Sequence, residues 1–279
     1  MNSDKRSKKA EKEKKEEPDY QLFKLPSDLK EISGISFIDQ ENLLAVQDEE
    51  GTLYFYNLSE EKITDKRKFA GKGDYEDVVI VQADAYVISS DGKLFQIINY
   101  KSQNPEVKIY KTPLSEKNNI EGLAYDSVHN RLLLASKDEG IDNDEDKEIY
   151  AFDLKTKQLS TTPVYAIRLK EIENYFKGDA IEESSKKFLK AFGNKNLNEV
   201  FRPSAITINP QNKNVYVLSS LNNLIAVLNS QGQLQRIIEL KGKEFIQPEG
   251  ISFNPNGELF VSNEGRDKKA NIIKLKHEN

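Results

Sequence analysis

The sequence predicts an all-β chain: a five-bladed β-propeller closed by pairing of its N- and C-terminal strands, with a helical insertion between blades three and four. Three observations carry this expectation. One type of strand start recurs along the chain at a blade-like step. The same order of short apolar runs follows each start. One further run, ahead of the first start, belongs to no unit.

The starts are aligned on one small or acidic position: Gly34 in "EISGISF", Asp77 in "DYEDVVI", Gly122 in "NIEGLAY", Ala205 in "RPSAITI" and Gly250 in "QPEGISF". They lie 43, 45, 83 and 45 residues apart. A step of about 40–50 residues is that of a propeller blade, and the long step is one period plus an insertion. Each start leads to a second strand ("NLLAVQD", "DAYVISS", "NRLLLAS", "NVYVLSS", "GELFVSN") and a third ("GTLYFYNL", "GKLFQIIN", "KEIYAFDL", "NLIAVLN", "ANIIKLK"). A fourth closes most units, as in "KITDKRKFA", "EVKIYKTP" and "LQRIIEL". Runs rich in Val, Ile, Leu, Tyr and Phe, parted by Asp-Gly, Asn-Pro and Gln-Gly, read as strands and turns. Four such strands per repeated unit make a propeller. The fifth unit has no fourth strand, and "YQLFKLP" (20–26) is expected to supply it.

Between residues 168 and 200, β-type alternation gives way to helical spacing: Ile172, Tyr175 and Phe176, then Phe188, Leu189 and Phe192. This reads as one or two inserted helices. A shorter insertion, "DEGIDNDEDKE", places Asp142, Asp144 and Asp146 as an EF-hand would. Its sixth position is Lys147 and its twelfth Asp153, so it reads as a solvated acidic loop.

Composition narrows the function classes. The net charge of −5 argues against nucleic acid as the main partner. With no Cys, thiol catalysis, disulfides and Cys-based zinc sites are excluded, and two histidines are too few for most imidazole-built centres. His129 reads as a surface turn residue and His277 as a terminal one. Residues 1–18 carry seven basic and five acidic side chains and almost nothing apolar. They form a disordered charged segment ahead of the propeller, which spans 19–279. The segment looks like the polar tether of a bacterial lipoprotein whose signal and lipidated Cys were cut off and replaced by Met1; an ordinary cytoplasmic tail is the other reading.

Aligning the units puts Ser33, Glu76, Glu121, Ser204 and Glu249 in one column, just ahead of the anchors. In a propeller the innermost strand lines the central channel. The loop entering it lies on the same face as the turn between the second and third strands. Those turns carry Asp48 and Glu49, Ser90 and Asp91, Lys137 and Asp138, Ser220, and Asn263 and Glu264. Two rows of side chains therefore converge on one mouth. Carboxylates that close raise one another's pKa unless a cation lies between them. The cation could be Lys137 or Arg202. It could equally be a metal, for which Glu76, Glu121, Glu249, Glu264 and Asp48 are the candidate ligands. Oxygen donors without His or Cys point to Ca²⁺, with Mg²⁺ next. Alternatively, the glutamates accept backbone N–H bonds and stitch the ring. Glu31, Ser33, Glu49, Asp138, Ser204 and Asn263 are candidate ligand-binding residues around the same mouth.

"SDLKEISGISF", "NLLAVQDEEGTLYFYNL", "NNIEGLAYD" and "QPEGISFNPNGELFVSNEG" resemble the SdiA-regulated family of bacterial propeller proteins, over about Tyr20 to Lys276. The resemblance implies a five-bladed propeller, export to the bacterial cell envelope and a calcium site. It defines no biochemical role. The chain departs from the pattern at Glu76-Asp77 and at Pro203-Ser204-Ala205, which leaves the ligand set open. Two functions follow. One is a calcium-binding interaction module for a small anionic ligand or an envelope protein, monomeric and touching the membrane only through the removed lipid anchor. The other is a metal-dependent hydrolase of phosphoesters or lactones, with Glu49 or Glu264 as general base. Against hydrolysis, there is no G-x-S-x-G elbow, and acids outnumber bases in both rows.

Overall fold

The computed structural model describes residues 20–143, 145–178 and 199–276. The charged segment 1–18, Asp144 of the acidic loop, the second run of helical spacing around Phe188 and Leu189, and His277 lie outside them.

Five four-stranded antiparallel units follow one another. Blade one comprises β2 (Ile32–Phe37), β3 (Asn42–Gln47), β4 (Glu50–Asn57) and β5 (Lys62–Lys72). Blade two comprises β6 (Tyr75–Val81), β7 (Asp84–Ser89), β8 (Leu94–Ile98) and β9 (Glu106–Tyr110). Blade three holds β10 (Ile120–Asp126), β11 (Arg131–Ser136) and β12 (Lys147–Asp153), with an outer edge in two pieces, β13 (Gln158–Leu159) and β14 (Tyr165–Ile167). Blade four is β15 (Pro203–Ile208), β16 (Val215–Ser219), β17 (Leu224–Leu228) and β18 (Leu234–Glu239). Blade five is β19 (Pro248–Phe253), β20 (Leu259–Asn263) and β21 (Asn271–Leu275), and its outer strand is β1 (Tyr20–Lys24). β1 lies antiparallel to β21, with Tyr20 opposite Leu275 and Lys24 opposite Asn271.

The core is divided among five seams between blades. Leu44, Val46 and Leu53 of blade one meet Val78, Val87 and Phe95 of blade two. Tyr86, Ile88 and Leu94 meet Leu123, Leu132 and Phe152. Equivalent layers join blades three and four, four and five, and five and one. Middle strands are therefore covered on both faces, which is why "VYVLS" and "LIAVL" are continuous apolar runs buried throughout. Outer strands keep one face in water and alternate: β9 reads EVKIY, with Glu106, Lys108 and Ile109 exposed. Charges on such an edge discourage pairing with another chain. The innermost strands touch in the cyclic order β2, β6, β10, β15, β19 and back to β2.

Helix α1 (Leu169–Gly178) opens the insertion between blades three and four. Ile172 and Phe176 enter that seam, and the Tyr175 hydroxyl donates to the Ile237 carbonyl at 3.4 Å. Among the described residues no helix is long and apolar enough to cross a membrane. Tyr54, Tyr56, Tyr150 and Phe152 are buried along their third strands, as packing between blades requires.

Candidate functional site

All five innermost strands share a local irregularity. Pairing with the second strand slips between Ile32 and Ile35, Tyr75 and Asp77, Ile120 and Gly122, Pro203 and Ala205, and Pro248 and Gly250. The residues caught in the slips are the aligned column: Ser33, Glu76, Glu121, Ser204 and Glu249. A bulge leaves its residue out of the ladder and re-aims its side chain. Five bulges at one level direct five side chains to the mouth of the channel or to the neighbouring blade. The next position must be small, because the strands converge there. A Cβ on Gly250 would lie 2.4 Å from the Ser33 carbonyl oxygen, and one on Gly34 would strike Asp77.

Asp77 breaks that rule and fills the axis. Its carboxyl accepts the N–H of Val78 at 2.8 Å and that of Leu123, in blade three, at 2.8 Å. The backbone of Ile206 in blade four also bonds to it. Complete burial pushes this carboxyl well above the usual range, despite the three N–H groups. Further from the mouth, the channel continues as a cavity of about 140 Å³ walled by residues of all five innermost strands. Sequence comparison marked Asp77 only as a spacing anchor. The signal for its role was present all the same, as an acid where the other units have Gly or Ala.

The column divides by residue type. Ser33 donates to the Tyr75 carbonyl of blade two at 2.8 Å, and Ser204 to the Pro248 carbonyl of blade five at 3.0 Å. Both are buried and stitch adjacent blades, rather than offering oxygens at the mouth. The glutamates do face it, and the side chain among them is Lys137, whose Nζ lies 2.5 Å from Glu121 Oε1. Burial alone would lower the Lys137 pKa, but Glu121, Glu249 and Glu76 around it raise it. Burial pushes Glu76 up to about 10, with Glu121 and Asp74 adding to it. Glu121 and Glu249 are also raised by burial, which Lys137 offsets in part.

The Lys137 turn is held from below. Lys147 is buried, and its ammonium donates to the carbonyls of Lys137 at 2.5 Å and Asp138 at 2.8 Å. Burial draws its pKa down to about 8. Asn119 bridges Glu121 and Asp138 at 3.2 and 3.1 Å, and Arg202 pairs with Asp138. Blades three and four therefore bring basic groups to their side of the mouth.

Blades five, one and two bring acids. Asp48 is half-buried, and its pKa rises to about 6 through burial and then through the charges of Glu31, Glu49 and Asp74. Its Oδ1 is buried without a hydrogen-bond partner. Glu264 is pushed up to about 8 by burial and by sharing a hydrogen bond with Glu31. That bond holds Glu31 low, helped by Lys30 at 3.4 Å. Glu49 stands exposed at the rim. Asn263 is fully buried, its Nδ2 donating to Asn271 Oδ1 at 3.0 Å, and its Oδ1, like that of Asp48, has no hydrogen-bond partner.

Oxygen donors of this kind suit a hard cation chemically. Among the described residues, however, no three His, Cys, Asp or Glu side chains are gathered as a metal-holding group. Glu76 and Glu121 already face a cation of the chain's own in Lys137. The orphaned Asp48 oxygen lies beside Glu31, Glu264 and Glu249, where Lys30 acts on Glu31, and Lys137 and Arg266 offset the burial of Glu249 only in part.

The chain belongs to the SdiA-regulated family, whose model matches residues 23–266. No curated protein matches it. Among solved structures it is similar to a glutaminyl cyclase of Myxococcus xanthus, with 12% identity, a TM-score of 0.55, and 91% of this chain and 93% of that one covered. A luciferin-regenerating enzyme has 12% identity, a TM-score of 0.54, and coverage of 93% and 96%. A Bacteroides thetaiotaomicron protein of unknown function has 12% identity and a TM-score of 0.51, over 84% of this chain and 52% of that one. At such identities the likeness is one of fold.

Proposed function

We propose that this member of the SdiA-regulated family is a non-catalytic binding module whose channel mouth takes up a cation, Ca²⁺ before Mg²⁺, on the acidic half formed by blades five, one and two. Asp48, Glu31, Glu264 and Glu249, which the structure does not gather as a metal-holding group, would have to close around it. Glu121 drops out of the ligand set because Lys137 pairs with it directly, and Glu76 because burial holds it protonated. The observation that carries the reading is the buried, unpartnered Oδ1 of Asp48, a carboxyl whose pKa is raised together with those of Glu264 and Glu249 beside it, while Glu31 is held low. Ionising such groups in the empty fold costs free energy, and a bound cation offsets that cost. A bound ion would supply a fixed positive charge next to the Lys137 and Arg202 side, a setting for an anionic ligand or the acidic segment of a partner protein.

Hydrolysis has less support. Lys137 and Arg202, the two basic groups of the predicted rows, are both engaged with carboxylates, and of their buried donors only the Nε–H of Arg202 is without a partner, too little to clamp a phosphoryl group. Export to the envelope and tethering through residues 1–18 complete the proposal, and rest on the charged segment and the family resemblance. The deciding experiment is a thermal melt of metal-stripped protein with and without millimolar Ca²⁺, for wild type and Asp48→Asn. A rise in Tm that the variant lacks supports the cation site. An equal rise in both, or none in either, refutes it.

A further inference from the structure

The turn that carries Lys137 is the longest at the mouth. It runs over residues 137–146, against 90–93 and 220–223 at the same place in blades two and four. Length alone would leave its first residues free to move, yet Lys137 and Asp138 are fixed on two sides. Their N–H groups donate to the carbonyls of Asn119 at 2.9 Å and Asn118 at 3.2 Å, in the lead-in to β10. Their own carbonyls accept from the Lys147 ammonium, at 2.5 and 2.8 Å.

Lys147 opens β12, opposite Ile167, and is 1% exposed. Lysine is almost never buried to this degree, because its ammonium is strongly hydrated in water. The carboxyl of Asp138 favours the charge, and Arg202 opposes it. A methionine would fill the same space at no such cost. What lysine adds is a set of three donors at the end of a four-carbon stem, and hydrogen bonds from an ionised donor are the strong kind. Two of these donors go to successive carbonyls of one turn.

Those carbonyls fix the backbone on which two side chains of the mouth stand. Lys137 reaches from it to Glu121, with Nζ and Oε1 2.5 Å apart, while Glu249 of blade five and Glu76 of blade two also act on its ammonium. Asp138, the next residue, pairs with Arg202 ahead of blade four and accepts from Asn119 at 3.1 Å. One turn therefore meets charged groups of four blades. Without the Lys147 donors, its carbonyls lose their partners, which costs free energy unless the backbone shifts toward water. Such a shift takes the Lys137 ammonium with it. We infer that Lys147 is a positioning residue for the channel mouth, which keeps the Lys137 ammonium among Glu76, Glu121 and Glu249 by holding both carbonyls of its turn. The role is independent of calcium uptake at Asp48, because it acts on the chain's own cation.

Two measurements on the full chain in EDTA test it. In wild type at pH 6, nuclear magnetic resonance should show couplings across hydrogen bonds from Lys147 Nζ to the carbonyl carbons of Lys137 and Asp138. Their absence would show that the ammonium does not hold the turn. The second measurement is a double-mutant cycle in urea unfolding at pH 7.5 and pH 5, with Lys147→Met and Lys137→Met. A lysine that served only its own surroundings would make the two losses additive. A positioning lysine makes them overlap. In the Lys147→Met background, Lys137→Met is expected to shift the midpoint at pH 7.5 by about half as much as in wild type, or less. The dependence of that shift on pH should be lost as well. Lys147→Gln, too short to reach both carbonyls, carries the cycle if the methionine variant does not fold. Additive losses, or a Lys137→Met shift that keeps its full pH dependence, would overturn the assignment. With no calcium present, failure of the cation site at Asp48 leaves both results intact.

Discussion

Asp48→Asn is expected to make the metal-free protein more stable, the reverse of what removing a charged group from a structural ion pair does. The aspartate pKa moves from 3.8 to about 6 in the folded chain, so the fold prefers its protonated form. At pH 3 and below, the carboxyl is mostly protonated in both folded and unfolded states, and the substitution changes little. Between pH 4 and 6, the unfolded chain ionises while the folded one holds its proton, and the folded state loses ground. Above pH 6 the loss is complete. A displacement of this size corresponds to about 3 kcal/mol for a fully buried group, and solvent around the half-buried Asp48 reduces that to about 1–2 kcal/mol. Asn keeps the volume without the charge. Urea unfolding in EDTA at pH 7.5 should therefore show a higher midpoint for the variant at unchanged slope. The melting temperature should rise by about 2–8 °C. At pH 3 the two proteins should coincide, and millimolar Ca²⁺ at pH 7.5 should close the gap by stabilising wild type alone. A variant less stable than wild type at pH 7.5, or a difference that persists at pH 3, would show that Asp48 is satisfied in the fold and would remove the main support for the cation site.

Other substitutions probe the remaining parts. Lys137→Met leaves Glu121 and Glu249 without their cation and is expected to cost about 2–3 kcal/mol at pH 8. The cost should shrink toward pH 5, where those carboxyls take up protons instead; a pH-independent loss in urea unfolding would contradict the electrostatic account. Asp77→Gly restores the residue type of blades one, three and five but orphans the N–H groups of Leu123 and Ile206. It is expected to cost about 2–4 kcal/mol and to speed hydrogen exchange at the Leu123 amide; unchanged exchange there would refute the axial role. Cation uptake at pH 7 should displace the proton held by Glu264, whose pKa is about 8. Calorimetric heats should then vary with the ionisation enthalpy of the buffer, and apparent affinity should fall as pH drops from 8 to 6; heats that do not depend on buffer would count against carboxylate ligation.

The blades were legible because their signals are local and repeated. A strand start, two apolar runs and a turn recur at a constant step, and β1 was visible as a run with no unit of its own. Blade three shows where this stops. Its outer edge is broken between Leu159 and Tyr165, where Pro163 has no N–H to give. The ladder is nevertheless taken up on both sides, Ser160 N–H donating to Ala151 at 2.9 Å and Val164 N–H to Ile149 at 2.8 Å. Two- and three-residue strand pieces carry no readable alternation. The candidate site was legible as a column of residues and not as an arrangement. A one-residue bulge decides whether a side chain faces the mouth or the next blade, and the two-residue period of a strand says nothing about that choice.

The column itself argues that the glutamates are there for something other than closing the ring. Five positions share one bulge geometry, and two of them hold serine. Ser33 and Ser204 each tie one blade to the next with a neutral hydrogen bond between 2.8 and 3.0 Å. A small uncharged side chain is therefore sufficient for stitching at this level. Glu76, Glu121 and Glu249 occupy the same position with carboxyls that burial drives toward protonation, at a cost to stability that serine avoids. Lys137, itself held by buried Lys147, offsets that cost only in part, and the pKa values of Asp48 and Glu264 remain raised. Strain that persists where a cheaper residue works nearby marks a site shaped for a ligand. Replacing Glu249 by Ser tests this directly. It is expected to raise stability in EDTA and to abolish the calcium response, whereas a stitching glutamate would give a less stable protein with no effect on calcium.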